Sequence, residues 1–276
     1  MYTLNCKGRL LMIEKPIVMG ILNITPDSFY SGSRIENKES ILNEAEQMLN
    51  EGATILDIGG QSTRPGSTRL SAKEELEKVL PAIQLIKHQF PSCFLSIDTY
   101  HSAVAKEAVA AGVDMVNDIS AGTMDEQMIS TVAALNVPYI AMHMQGTPDT
   151  MQQNPSYENV TREVVDCFIK KTEQCNATGI KDIIIDPGFG FGKTIAHNFQ
   201  LLRELEVFQI LNYPLLAGLS RKSTIYKTLG TTAEEALNGT TVLNTIALQK
   251  GASILRVHDV KEAVEAITLV QSVYSK

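Results

Sequence analysis

The chain opens without a long apolar run: its first stretch, MYTLNCKGRLLMIEKP, is broken by Lys7, Arg9 and Glu14. It therefore lacks the apolar core of a signal peptide or a membrane span, and a cytoplasmic protein with no membrane partner is expected. Basic clusters are missing as well. The 24 Lys plus Arg stand against 31 Asp plus Glu, a formal net charge of −7, which argues against a nucleic-acid surface and means that any bound anion must be met locally. The four cysteines, Cys6, Cys93, Cys167 and Cys175, show no C-x-x-C spacing. Reduced thiols are expected, with neither a disulfide framework nor a zinc site. Two familiar loop motifs are absent too. In KDIIIDPGFGFGKT (181–194), Pro187 stands where a Walker A loop needs Gly, and the glycine spacing is G-x-G-x-G, not the dinucleotide fingerprint. In GLSRKS, Lys222 stands two residues after Ser220, where a serine nucleophile elbow has Gly.

What is present begins with that same stretch. Ile183, Ile184 and Ile185 end in Asp186 and then in Gly and Pro, the pattern of a buried parallel strand emerging into a loop. A carboxylate at such a tip can accept a planar pair of N–H donors. Residues 4–13 read as a β-hairpin ahead of the main fold, placed to plug one end. From Ile17 onward a strand, a turn-rich loop and a helix recur. The strands are expected at 17–22, 54–58, 94–97, 115–116, 138–142, 183–186, 214–217 and 253–257. The helices are expected at 38–51, 71–90, 101–111, 125–135, 156–178, 196–208, 223–229 with 233–250, and 260–273. Ser71 and Glu74 form an S-x-x-E capping box, and Gly52 closes the first helix. Eight such units in 276 residues predict a single-domain α/β protein, a (β/α)8 TIM barrel with a short N-terminal β-hairpin. A doubly wound open sheet is the alternative.

The strand ends carry the functional signal. They deliver Asn23, Asp57, Asp98, Asn117, His143, Asp186, Ser220 and Arg256 with His258. Barrel enzymes build their sites at that face, so this ring is read as a binding site. Asp98, Asn117 and Asp186, with Lys222 nearby, suit a flat, nitrogen-rich heterocycle. Arg64, Asn23, Arg256 and His258 suit an anion, and Asn23 beside a diphosphate suits Mg²⁺. His88 and His101 fall on helices and are read as surface or packing residues; His143 lines the rim, and His197 is assigned a structural role.

The strings GILNITPDSF (20–29), DIGGQSTRPG (57–66), SIDT (96–99), NDIS (117–120), DPGFGFGKT (186–194), GLSRKS (218–223) and LRVHDV (255–260) together resemble the dihydropteroate synthase family. The resemblance runs from the first barrel strand to the last, with the motifs in order. It implies a (β/α)8 barrel that condenses 6-hydroxymethyl-7,8-dihydropterin diphosphate with 4-aminobenzoate, giving 7,8-dihydropteroate and diphosphate in folate synthesis. Carried over by motif, it implies Lys222, Asp98 and Arg256 as catalytic groups, and Asp98, Asn117, Asp186, Lys222 and Arg256 around the pterin. The aminobenzoate pocket would comprise Phe29, Thr63, Arg64, Pro65, Phe191, Lys222 and Ser223. Asn23, Thr63, Arg64, Arg256 and His258 would meet the diphosphate, with Asn23 the Mg²⁺ ligand. The reaction implied is dissociative, through a pterin cation.

The chain departs from the family pattern twice. Ser31 stands where a loop-one Asp is usual, so Asp27 or water would take its place, and Gln61 stands where Glu is frequent. The family's dimers imply a homodimer through the C-terminal helices, consistent with the uncharged stretch 239–249. Two other functions fit parts of the pattern: a pterin-binding methyltransferase domain serving a corrinoid protein, and a pterin-binding protein without turnover. The SRK and STRPG loops argue against the first.

Overall fold

The computed structural model describes residues 1–24, 34–61 and 69–274. Two strands, β1 (Tyr2–Cys6) and β2 (Arg9–Ile13), pair antiparallel across the turn at Lys7 and Gly8. Both turn residues take positive φ, 55° and 89°, as a two-residue hairpin that matches strand twist requires. Leu4, Cys6, Leu11 and Ile13 on its inner face are buried against Ile17, Met19, Ile55, Met115, Ile140, Ile184, Leu216 and Ile254, which come from seven barrel strands. The hairpin is thus a plug at one end of the barrel, as expected. Arg9 stitches it in place, donating to Ser92 O at 2.8 Å and to Asp114 Oδ1 at 2.7 Å.

The barrel strands are β3 (Ile17–Asn23), β4 (Ile55–Gly59), β5 (Phe94–Asp98), β6 (Met115–Asp118), β7 (Tyr139–Met142), β8 (Ile183–Asp186), β9 (Leu216–Ala217) and β10 (Ile254–Val257). They lie parallel in the order β8-β7-β6-β5-β4-β3-β10-β9, and a parallel bridge between Ile185 and Leu215 joins the ends. That closure rules out the doubly wound alternative. The helices are α1 (Arg34–Asn50), α2 (Ala72–Gln89), α3 (Ser102–Ala110), α4 (Met128–Leu135), α5 (Val160–Thr178), α6 (Ile195–Arg203), α7 (Ser223–Leu229), α8 (Leu237–Gln249) and α9 (Val260–Tyr274). Each crossover places a helix outside the sheet, where residues such as Leu56 and Ile58 pack against Val79 and Ile83 in the main core.

Side chains alternate along a strand, so the inner face links the plug to the opposite rim in single steps of two residues. Ile55, Met115, Ile184 and Ile254 all sit in the plug cluster. The next inward positions on those strands are Asp57, Asn117, Asp186 and Arg256. The phase that buries isoleucine below therefore presents polar groups above.

Helix boundaries moved where side chains satisfied the backbone differently. The capping box holds, with Ser71 N donating to Glu74 Oε2 at 2.7 Å. Helix α5 starts at Val160 and not Ser156, because Asn159 caps it and Ser156 N is taken by Gln145 Oε1 at 3.1 Å. Helix α4 starts after Asp125, whose carboxylate accepts Ser102 N and Gln127 N at 2.7 and 2.9 Å. Helix α6 ends at Arg203, and Leu205–Leu211 continue as a tighter 3₁₀ helix that still buries Leu205 and Phe208. Among the described residues no helix is long and apolar enough to cross a membrane.

Candidate active site

The rim is wired together by one buried carboxylate. Asp57, with no exposed surface, accepts Asn117 Nδ2 at 2.9 Å and Arg256 Nε at 2.6 Å through the same oxygen, Oδ2. Arg256 NH2 meets Asp98 Oδ2 at 2.6 Å. Strand register makes this possible, since Asp98 pairs with Gly59 on one side and Asn117 on the other. Asp57 is therefore the group that aligns both the amide expected at the heterocycle and the guanidinium expected at the anion.

Across the rim, Asp186 and Lys222 converge. A Cβ built on Gly218 would lie 3.7 Å from Lys222 Nζ and 3.9 Å from Asp186 Oδ2, so both groups sit beside the same strand end. Asp186 Oδ1 accepts Gly188 N at 2.7 Å. Lys222 donates to Phe189 O and lies 4.8 Å from the Phe191 ring centroid. Asn23 occupies a similar place above Gly59, whose missing Cβ would lie 3.5 Å from Asn23 Oδ1 and 4.0 Å from Asp98 Oδ2. The rim of the described chain thus brings together Asn23, Asp98, Asn117, Asp186, Lys222 and Arg256.

Burial and charge set the protonation of this cluster. Burial pushes Asp98 up to about 7, with Arg256 opposing and Asp57 adding to the rise. Asp186 is also raised by burial, against the pull of Lys222. Burial lowers Lys222 to about 8, opposed by Asp186. Burial works against the Arg256 charge, but the Asp57 and Asp98 carboxylates outweigh it and hold the guanidinium above its ordinary value. A site of this kind, with raised carboxylates beside a lowered ammonium, can grip a polar ring and respond to charge developing on it.

His258 Nδ1 lies 3.0 Å from Ser220 Oγ, which also accepts His258 N at 3.2 Å. Ser223 opens α7 directly after Lys222. Phe29, Thr63, Arg64 and Pro65, expected around the aminobenzoate and diphosphate, lie outside the described residues, as do Asp27 and Ser31. Gln61, read from the sequence only as a lost charge, donates to Tyr100 OH and accepts Leu70 N at 2.7 Å, joining the two ends that flank residues 62–68. His197 is structural, as expected: it closes a capping box with Thr194. His143 accepts from a residue the sequence reading passed over, Lys193, whose Nζ lies 2.9 Å from His143 Nδ1. Burial pushes His143 down to about 3, so it is a neutral partner there.

Among the described residues no group of three or more His, Cys, Asp or Glu could hold a metal ion. A divalent ion held mainly by diphosphate oxygens and water needs only a single protein oxygen, and the open amide of Asn23 beside Gly59 fits that role.

Comparison with known proteins agrees with this geometry. A family model described as pterin binding enzyme matches residues 19–258. Dihydropteroate synthase from Haemophilus influenzae is 43% identical over 271 residues, covering 98% of both chains. Xanthomonas albilineans dihydropteroate synthase with 4-aminobenzoic acid superposes with a TM-score of 0.91 at 40% identity, covering 99% of this chain and 98% of that one. The complex of the Xanthomonas albilineans enzyme with 7,8-dihydropteroate gives 0.87 at 36% identity and 99% coverage of each. Sequence, fold and rim chemistry agree over nearly the whole length, and the chain belongs to the dihydropteroate synthase family of pterin-binding enzymes.

Proposed function

We propose that the rim catalyses a dissociative condensation of 6-hydroxymethyl-7,8-dihydropterin diphosphate with 4-aminobenzoate. The observation that carries this reading is the convergence of Asp98, Asn117, Asp186, Lys222 and Arg256 on one face, with Asp57 joining Asn117 to Arg256. The complexes of the Xanthomonas albilineans relative with 4-aminobenzoic acid and 7,8-dihydropteroate support the same substrate and product here.

In this scheme Asp186 accepts the pterin's 2-amino and ring N–H groups, and Asn117 and Asp98 complete that edge. Lys222 donates to the pterin carbonyl and ring nitrogen. The C–O bond to diphosphate breaks with its electron pair leaving on the diphosphate, and the dihydropterin ring spreads the positive charge left on the methylene carbon. Asp98 and Asp186 favour that charge electrostatically, while Arg256 and His258 stabilise the departing anion. The aminobenzoate nitrogen then forms the C–N bond and releases a proton to water. No nucleophilic side chain takes part; the chain's work is to hold, orient and neutralise. Asn23 would hold Mg²⁺, which would supply further positive charge for the departing anion.

Incubation with both substrates and Mg²⁺ should release diphosphate, and Asp186→Ala or Lys222→Ala should lower turnover about 10²-fold or more with the fold retained. Near-normal turnover in either variant contradicts the assignment. We also infer a cytoplasmic homodimer through the C-terminal helices, supported by exposed Val242, Leu269, Val273 and Tyr274 on α8 and α9. Light scattering at micromolar concentration should report twice the 30.2 kDa chain mass; a monomer mass rejects the dimer.

A further inference from the structure

Five consecutive carbonyls in the loop after β8 are each held by a side chain. Gly188 O and Phe191 O both accept Lys193 Nζ at 3.0 Å. Phe189 O accepts Lys222, Gly190 O accepts Gln152 Nε2 at 2.7 Å, and Gly192 O accepts Tyr157 OH at 2.9 Å. The loop is pressed hard against its support. A Cβ on Gly188 would lie 1.9 Å from His143 O, and one on Gly192 would lie 2.5 Å from Gln145 O, so only glycine allows this path. Both also take positive φ, 70° and 62°.

Lys193 is the centre of this arrangement. Only 3% exposed, it runs back beneath its own loop and reaches His143 Nδ1 at 2.9 Å as well as the two loop carbonyls. A buried amine needs its donors met, and His143 Nδ1, Gly188 O and Phe191 O meet them, with His143 O at 3.4 Å; burial lowers the Lys193 amine to about 7. The other lysine, Lys222, donates to Phe189 O, so the backbone of residues 188–191 is held by two lysines.

Resting on the function proposed above, we propose that Lys193 is a positioning residue: anchored on His143, it fixes the loop that carries the Phe191 ring. The ring wall of the aminobenzoate pocket then depends on a residue that touches neither substrate. Loss of the anchor shifts the aminobenzoate side of the site and leaves the edge built by Asp57, Asp98 and Asn117 in place.

The test is Lys193→Met, which keeps chain length and removes the donors, measured with steady-state kinetics on both substrates. Calorimetric binding of the pterin diphosphate and a melting curve complete the measurement. The expected result is a folded protein whose KM for 4-aminobenzoate rises about tenfold or more with kcat lowered, while pterin affinity stays within about threefold. A Lys193→Met enzyme with both kinetic constants unchanged overturns the positioning role, as does an equal loss of affinity for both substrates. Should Lys193→Met fail to fold, His143→Leu removes the anchoring acceptor alone; the same one-sided KM rise supports the role and unaltered kinetics refutes it. Wild-type turnover in the same assay separates the two ideas, because its absence sinks the proposed reaction whereas normal wild-type turnover with an indifferent variant sinks only Lys193.

Discussion

Asp57 Oδ2 accepts both Arg256 Nε at 2.6 Å and Asn117 Nδ2 at 2.9 Å, so one oxygen aligns the two halves of the rim. Asp57→Ala leaves a buried guanidinium with one partner and a buried amide with none among these contacts. Breaking such a pair typically costs about 3–5 kcal/mol, so the variant should melt well below wild type and lose about 10²-fold or more in kcat/KM. A melting temperature and rate close to wild type would show that Asp98 alone orients Arg256.

Asp98 should set the acidic limb of the pH–rate profile. Burial raises its carboxyl to about 7, so it gains a proton, and loses its negative charge, as pH falls through that value. In the free enzyme this limb appears in kcat/KM. Asp98→Asn should lower kcat/KM and abolish the limb. A variant profile that retains the same limb near neutrality assigns it to another group.

Glu75 links stability to pH without entering the chemistry. It is 1% exposed, and its Oε2 lies 4.0 Å from His101 Nε2. Burial raises it from 4.5 to about 8, opposed by the Thr99 hydroxyl and assisted by Asp98. Because the folded value is the higher one, its contribution is complete below about 4.5 and is lost as pH rises through about 8. Glu75→Gln should therefore melt above wild type at pH 9, by on the order of a few kcal/mol, with the gap closing near pH 5. Equal pH slopes for the two proteins would refute the buried neutral carboxyl.

Much of this was readable in the chain itself, for a definite reason. The step of two that separates Ile184 from Asp186 and Ile254 from Arg256 is a local regularity, and it carries plug and rim together. The Ser71–Glu74 cap is likewise local. Lys193 was not readable, because its contacts exist only once the glycine loop has folded over His143, a residue 50 positions earlier. Glu75 lies in the first turn of α2 and packs against Gly60, where a Cβ would lie 3.2 Å from Glu75 Cγ, a contact between separate elements. The end of α6 falls short of the expected 208 because Leu205 and Phe208 keep an apolar spacing that a 3₁₀ turn also satisfies. Asp57 was seen as a strand tip, but its part as a hub depends on partners 60 and 199 residues away.

The last relationship concerns how Lys222 is aimed. Its neighbour Arg221 sits at φ 52°, a left-handed conformation uncommon for a non-glycine residue. The guanidinium explains it. Arg221 Nε and NH2 bind Asp259 Oδ2 and Oδ1 at 2.9 and 2.8 Å, and NH1 reaches Ala233 O and Glu234 O at 3.0 and 2.6 Å. That planar fork fixes the turn between β9 and α7 and turns the next side chain inward. Lysine cannot reproduce a bidentate pair. Arg221→Lys should therefore lower kcat about tenfold through misplacement of Lys222, with a modest loss of stability. Asp259→Asn, which keeps one acceptor, should fall between the two. The check is kcat and melting temperature for all three proteins; Arg221→Lys with wild-type kcat would mean that the β9–α7 turn aims Lys222 by backbone geometry alone.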